Sequence, residues 1–84
     1  MATVVIYTKA HCSYCTHAKN LLDRKKVSYK EIRIDLNPEY TDEMIAKSKR
    51  RTVPQIFIND QAIGGYDDLA ELERAGKLDS LLQN

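Results

Sequence analysis

The chain has 84 residues, 43% of them apolar, with 13 basic and 12 acidic side chains and a net charge of +1. That length suits one domain over residues 1–84 with a small core, and the interspersed charges form no nucleic-acid footprint. MATVVIYTK lacks the basic region and apolar length of a signal peptide, and no run approaches the ~20 apolar residues of a membrane span, so the expectation is a cytoplasmic protein with reduced thiols.

Thr3 to Tyr7 (TVVIY) is a β-branched apolar run, consistent with a buried strand. A loop follows, then a helix over Ser13 to Lys25, in which Tyr14, Ala18, Leu21 and Leu22 recur at helical spacing. Ser28 to Asp35 reads as a second strand. Asn37 is a predicted N-cap, Pro38 the first helical position, and Tyr40, Met44, Ile45 and Ser48 the inward face of a second helix. Its basic end, Lys47, Lys49, Arg50 and Arg51, suits a helix C-terminus or a local anion site. PQIFI and QAIGG are strands flanking a tight Asn59-Asp60 turn. In GGYDDLAELERAG, Asp67 or Asp68 is expected to open a third helix, Leu69 and Leu72 to pack, and Gly76 to close it. KLDSLLQN adds a last short turn or helix. The order β-α-β-α-β-β-α predicts an α/β fold: a four-stranded mixed sheet, parallel in its first two strands, hairpin-paired in its last two, with helices on both faces.

Cys12 and Cys15 are the chain's only cysteines, set at the strand-to-helix junction. A zinc site would need His11 and His17 as well, all within seven residues, whereas structural zinc joins distant segments. A structural disulfide closing so short a loop stabilises by only roughly 2 kcal/mol. As a working dithiol the placement has a physical reason. Cys12 falls near the helix N-cap, where free N–H groups and the helix dipole favour a thiolate. C-x-x-C beside a βαβ pattern is the thioredoxin-like signature.

Two further stretches bear on that site. Val53-Pro54 leads into a strand, where Pro belongs at the first position, and a cis bond there would turn the Val53 backbone toward a peptide-like substrate. GGYDD is a strand-to-helix turn whose free N–H groups suit a carboxylate. Lys9, with Gln55 or Arg51, could hold a second carboxylate, and Asp68 could meet an amine. Glutathione carries two carboxylates and one amine.

VVIYTKAHCSYC, TVPQIFI and GGYDDL, in this order and at these separations, resemble the glutaredoxin family in its short bacterial dithiol type. The resemblance covers nearly the whole chain. It implies a thioredoxin-like fold with Cys12 as nucleophile and Cys15 as resolving thiol. It also implies a glutathione groove formed by Lys9, Tyr14, Arg51, Thr52, Val53, Pro54, Gln55, Gly65, Tyr66, Asp67 and Asp68. The implied activity is glutathione-dependent thiol–disulfide exchange on protein disulfides and glutathionylated proteins, serving electron transfer and cell redox homeostasis. It would act as a monomer, with no metal or other prosthetic group required. Ser13 departs from the C-P-Y-C common in such proteins. Some relatives lacking that Pro bind a [2Fe–2S] cluster across a dimer, so a cluster-binding protein is one alternative. A redoxin served by thioredoxin reductase is the other.

Overall fold

The computed structural model describes residues 2–83. Its elements run β1 (Val4–Thr8), α1 (Ser13–Arg24), β2 (Lys30–Arg33), α2 (Pro38–Ser48), β3 (Gln55–Ile58), β4 (Gln61–Gly64), α3 (Tyr66–Arg74) and α4 (Leu78–Gln83). The strands form one sheet in the order β2-β1-β3-β4. β1 is parallel to β2 and antiparallel to β3, and β3 to β4 is antiparallel. This is the mixed sheet expected from the sequence.

Strand alternation divides the core between the two faces of the sheet. Val4 and Ile6 of β1 and Ile56 and Ile58 of β3 point one way, onto Ala18, Leu21 and Leu22 of α1, Leu69 of α3, and Leu78 and Leu82 of α4. Tyr7 and Phe57 point the other way, onto Met44 of α2, with their rings edge to face at 5.6 Å. The Tyr7 hydroxyl donates to Glu43 Oε2 at 2.5 Å. Burial, and then that carboxylate, push the Tyr7 hydroxyl well above its ordinary range. β1 and β3 are therefore covered on both faces, which is why both read as continuous apolar runs rather than alternating ones.

Local chemistry sets the boundaries. Asn37 caps α2, its side chain accepting from the Glu39 N–H at 3.0 Å, with Pro38 next. Asn59 and Asp60 both take left-handed φ, 52° and 65°, as a two-residue hairpin turn requires. α3 departs from the expectation: Gly65, not Asp67 or Asp68, is its N-cap, and the aspartates lie in its first turn. At its other end Gly76, at φ 72°, follows the C-cap Ala75. Tyr40, expected inside, is exposed, because the buried stripe of α2 narrows to Met44. β2 is shorter than the sequence suggested, four residues at a sheet edge.

Candidate active site

β1 ends at Thr8, and α1 begins five residues later. The loop between them is tight: His11 takes a left-handed φ of 59°, uncommon for a residue with a Cβ. Asp35, just beyond β2, braces it by accepting from the Ala10 N–H at 3.4 Å. The Arg33 guanidinium grips the same carboxylate at 2.6 and 2.7 Å and, with that N–H, holds the Asp35 carboxyl down at about 2.

Cys12 is the N-cap of α1, with extended backbone and a half-buried side chain. Its Sγ accepts the Cys15 N–H at 3.2 Å, one of the first-turn donors that a helix cannot satisfy internally. Ser13 at the first helical position is exposed. Cys15 faces inward and is 2% exposed. Burial, and then the hydrogen bond with Cys12, push its thiol up to about 12. Both cysteines are free thiols.

Opposite Cys12 stands the loop into β3. The Val53–Pro54 bond is cis, and the Val53 carbonyl oxygen lies 4.0 Å from Cys12 Sγ. Gln55 is buried, and its amide donates to the Thr52 carbonyl at 3.0 Å. Across a depression from this loop is the N-terminal turn of α3. There Asp68 Oδ2 accepts from the Gly65 N–H at 3.0 Å and from Arg50 Nη1 at 2.9 Å. Arg50, and then the Gly65 N–H, hold the Asp68 carboxyl below its usual range. Gly64 makes room for this pair. At φ 118°, a Cβ on Gly64 would lie 2.2 Å from Asp68 Oδ2.

The fold agrees with that of known proteins. The Glutaredoxin family model matches residues 4–63.

The chain belongs to the glutaredoxin family.

It is 55% identical over 83 residues to glutaredoxin 3 of Escherichia coli K12, covering 99% of this chain and 100% of that one. A glutaredoxin of Pseudomonas aeruginosa is also 55% identical, over 82 residues and 98% of each chain. Among solved structures, a buckwheat glutaredoxin–glutathione complex superposes with a TM-score of 0.90 at 32% identity, over 98% of this chain and 77% of that one. The glutaredoxin of Brucella melitensis superposes at 0.86 with 51% identity, over 98% and 89%.

In this glutaredoxin the expected groove residues separate into two depressions around Cys12. Tyr14, Thr52, Val53, Pro54, Gln55, Gly65, Tyr66, Asp67 and Asp68 line one. Lys9 and Arg51 line the other, which also reaches Cys12, Ser13, Tyr14, Thr52 and Val53. So Arg51, not Gln55, shares a depression with Lys9. Tyr14 does not pack inward despite its helical spacing. It is 58% exposed and stacks on Tyr66 at 6.2 Å and 14°. His17, weighed above as a zinc ligand, instead sits against the Tyr66 ring at 5.6 Å. Among the described residues no group of three or more His, Cys, Asp or Glu side chains is gathered as a ligand set, and no helix is long and apolar enough to cross a membrane.

Sequence reasoning missed two features. The basic run that holds Arg50 suits a helix end or an anion site, but its partner Asp68 is 18 positions away, with no local signal to join them. Lys19 was not singled out at all, although its place four residues after Cys15 puts both on one face of α1.

Proposed function

We propose that this protein is a glutathione-dependent thiol–disulfide oxidoreductase acting through Cys12 and Cys15. The observation that carries the reading is the inequality of the two thiols. Cys12 is half-exposed at a helix N-terminus with an N–H directed at its sulfur, while Cys15 is buried and its proton tightly held. Thiol–disulfide exchange needs an accessible thiolate to attack and a second thiol withheld until a mixed disulfide has formed.

Two routes follow. With a glutathione mixed disulfide, Cys12 takes up the glutathionyl group and a second glutathione thiolate removes it as glutathione disulfide. With a protein disulfide, Cys12 forms a mixed disulfide with one protein sulfur, Cys15 attacks Cys12, and the reduced protein leaves. Two glutathiones then reduce the Cys12–Cys15 bond. No prosthetic group takes part in either route.

The two depressions support glutathione as the reductant. The first turn of α3 offers free N–H groups to one carboxylate and Asp68 to an amine. Lys9 and Arg51 offer cations to the other carboxylate. The Val53 carbonyl, beside Cys12, can accept from a peptide N–H. A relative of the same fold is known as a glutathione complex. The partners are then glutathione and disulfide-bonded or glutathionylated proteins in a reducing cytoplasm.

The test is a pair of coupled assays with NADPH, one with glutathione and glutathione reductase, the other with thioredoxin reductase. Turnover of a glutathionylated peptide in the first alone is the expected result. Turnover driven only by thioredoxin reductase would refute the reading.

A further inference from the structure

Behind the dithiol lies a polar cluster that neither route uses. The Thr8 hydroxyl, fully buried in β1, donates to Glu31 Oε2 of β2 at 2.6 Å. The same oxygen accepts from Lys19 Nζ of α1 at 3.0 Å. A surface ion pair ordinarily holds two mobile side chains and stabilises little. This one is anchored by a core hydroxyl and keeps only 30% and 31% of its side-chain surface, so the ammonium has a defined place. Lys19 is one helical turn beyond Cys15 on the same face. Both line a depression with Glu31, Lys9, His11 and Arg33.

A fixed positive charge there bears on a single step. Once Cys12 carries a mixed disulfide, Cys15 must attack Cys12 Sγ. The Cys15 S–H proton passes to solvent and the Cys12–Cys15 bond forms. The bond from Cys12 to the departing sulfur breaks, and the departing thiolate takes a proton from solvent. Burial opposes any charge on Cys15; a backbone hydrogen bond from Lys9, and after it the charge of Lys19, oppose that penalty, and of the two only Lys19 is a side chain. Glu31 raises the proton affinity of Lys19, so the ammonium keeps its charge into alkaline solution.

We propose that Lys19 is a positioning residue for the resolving step: its ammonium, pinned by Glu31 and Thr8, stabilises the charge that develops on Cys15 Sγ during attack on Cys12. The inference rests on the dithiol reading above and deepens it.

The experiment is rapid mixing of the reduced chain with glutathione disulfide, followed by acid quench and mass spectrometry. It resolves formation of the Cys12 mixed disulfide from its conversion to the internal disulfide. Lys19→Gln should slow conversion about tenfold and leave formation unchanged, because one partly screened charge acts on one sulfur. Lys19→Arg should restore most of the rate. Glu31→Gln keeps the ammonium but loosens its hold, so it should slow conversion clearly less than Lys19→Gln does. In a Cys15→Ser background, Lys19→Gln should leave mixed-disulfide formation untouched. Equal slowing by Lys19→Gln and Glu31→Gln would mean that the pair serves only to hold β2 to α1, and would overturn the proposal. Equal conversion in wild type and Lys19→Gln would remove the proposal alone. A wild-type chain that forms the mixed disulfide and never converts it would remove the resolving role of Cys15, and the proposal with it.

Discussion

The rim around Cys12 is built largely of backbone, whereas the wall behind Cys15 is built of side chains. Facing Cys12 are the Cys15 N–H, the Val53 carbonyl and, across the depression, the N-terminal turn of α3. Behind Cys15 stand Thr8, Glu31 and Lys19, with the core of the α1 face beneath. Backbone donors and acceptors recognise peptide groups in general, which suits a thiol that must accept many disulfides. A side-chain wall instead controls protonation and access, which suits a thiol that reacts with one partner only, its neighbour three residues away. The same short motif thus holds two sulfurs in different media, and the proposed division of labour between them rests on that difference rather than on the cysteines themselves.

The most severe way to break the contrast is to remove each sulfur in turn. Cys12→Ser should abolish turnover of both glutathione mixed disulfides and protein disulfides. Cys15→Ser should keep the first, which needs one thiol, and lose most of the second. Steady-state rates on a glutathionylated peptide and on a disulfide-bonded protein measure the split. A Cys15→Ser chain inactive on the peptide would show that the buried thiol also serves the one-thiol route.

A smaller effect sharpens the contrast through pH. The folded chain holds the Cys15 proton up to about 12, whereas an unfolded thiol releases it near ~8.5. The folded state therefore binds the proton more tightly. The stability this contributes is complete below the unfolded value and is lost as pH rises through the folded one. Urea midpoints should fall between about pH 8.5 and 10, and Cys15→Ala should flatten that fall. Tyr7 acts with the same sign at higher pH, its proton affinity being raised by burial and by Glu43, so the comparison belongs below pH 10. In the same range an alkylating reagent should modify Cys12 well before Cys15. Faster modification at Cys15 would reverse the assignment.

The mildest perturbations concern the rim. Asp68→Ala and Lys9→Ala should each raise the KM for a glutathionylated substrate about fivefold, corresponding to ~1 kcal/mol for a partly exposed ion pair. Protein-disulfide exchange at saturating substrate should change less. Both effects should shrink as salt is added. An unchanged KM in both variants would take the two residues out of the groove.

Much of this architecture was legible in the sequence because its causes are local. A β-branched run makes β1, Asn37-Pro38 starts α2, Asn59-Asp60 turns the hairpin, and C-x-x-C ahead of a helical pattern places one sulfur at a helix N-terminus. Periodicity misled at Tyr14 and Tyr40. Spacing says which residues share a face, but the neighbouring elements decide how much of that face is covered. Tyr14 projects beyond the core and finds Tyr66 instead.

What only the tertiary structure decided are the meetings of residues distant in the chain. Arg50 with Asp68, Lys9 with Arg51 and Thr8 with Glu31 and Lys19 are joined by sheet order and helix packing, and no spacing rule reaches across such intervals. The sequence by itself determined which chemistry was present and which secondary elements would carry it, since backbone propensity, capping and turn geometry act over a few residues. The inequality of the two thiols belonged to both levels. The helix N-terminus at Cys12 is a local matter, while the burial that withholds the Cys15 proton exists only once the chain has folded around it.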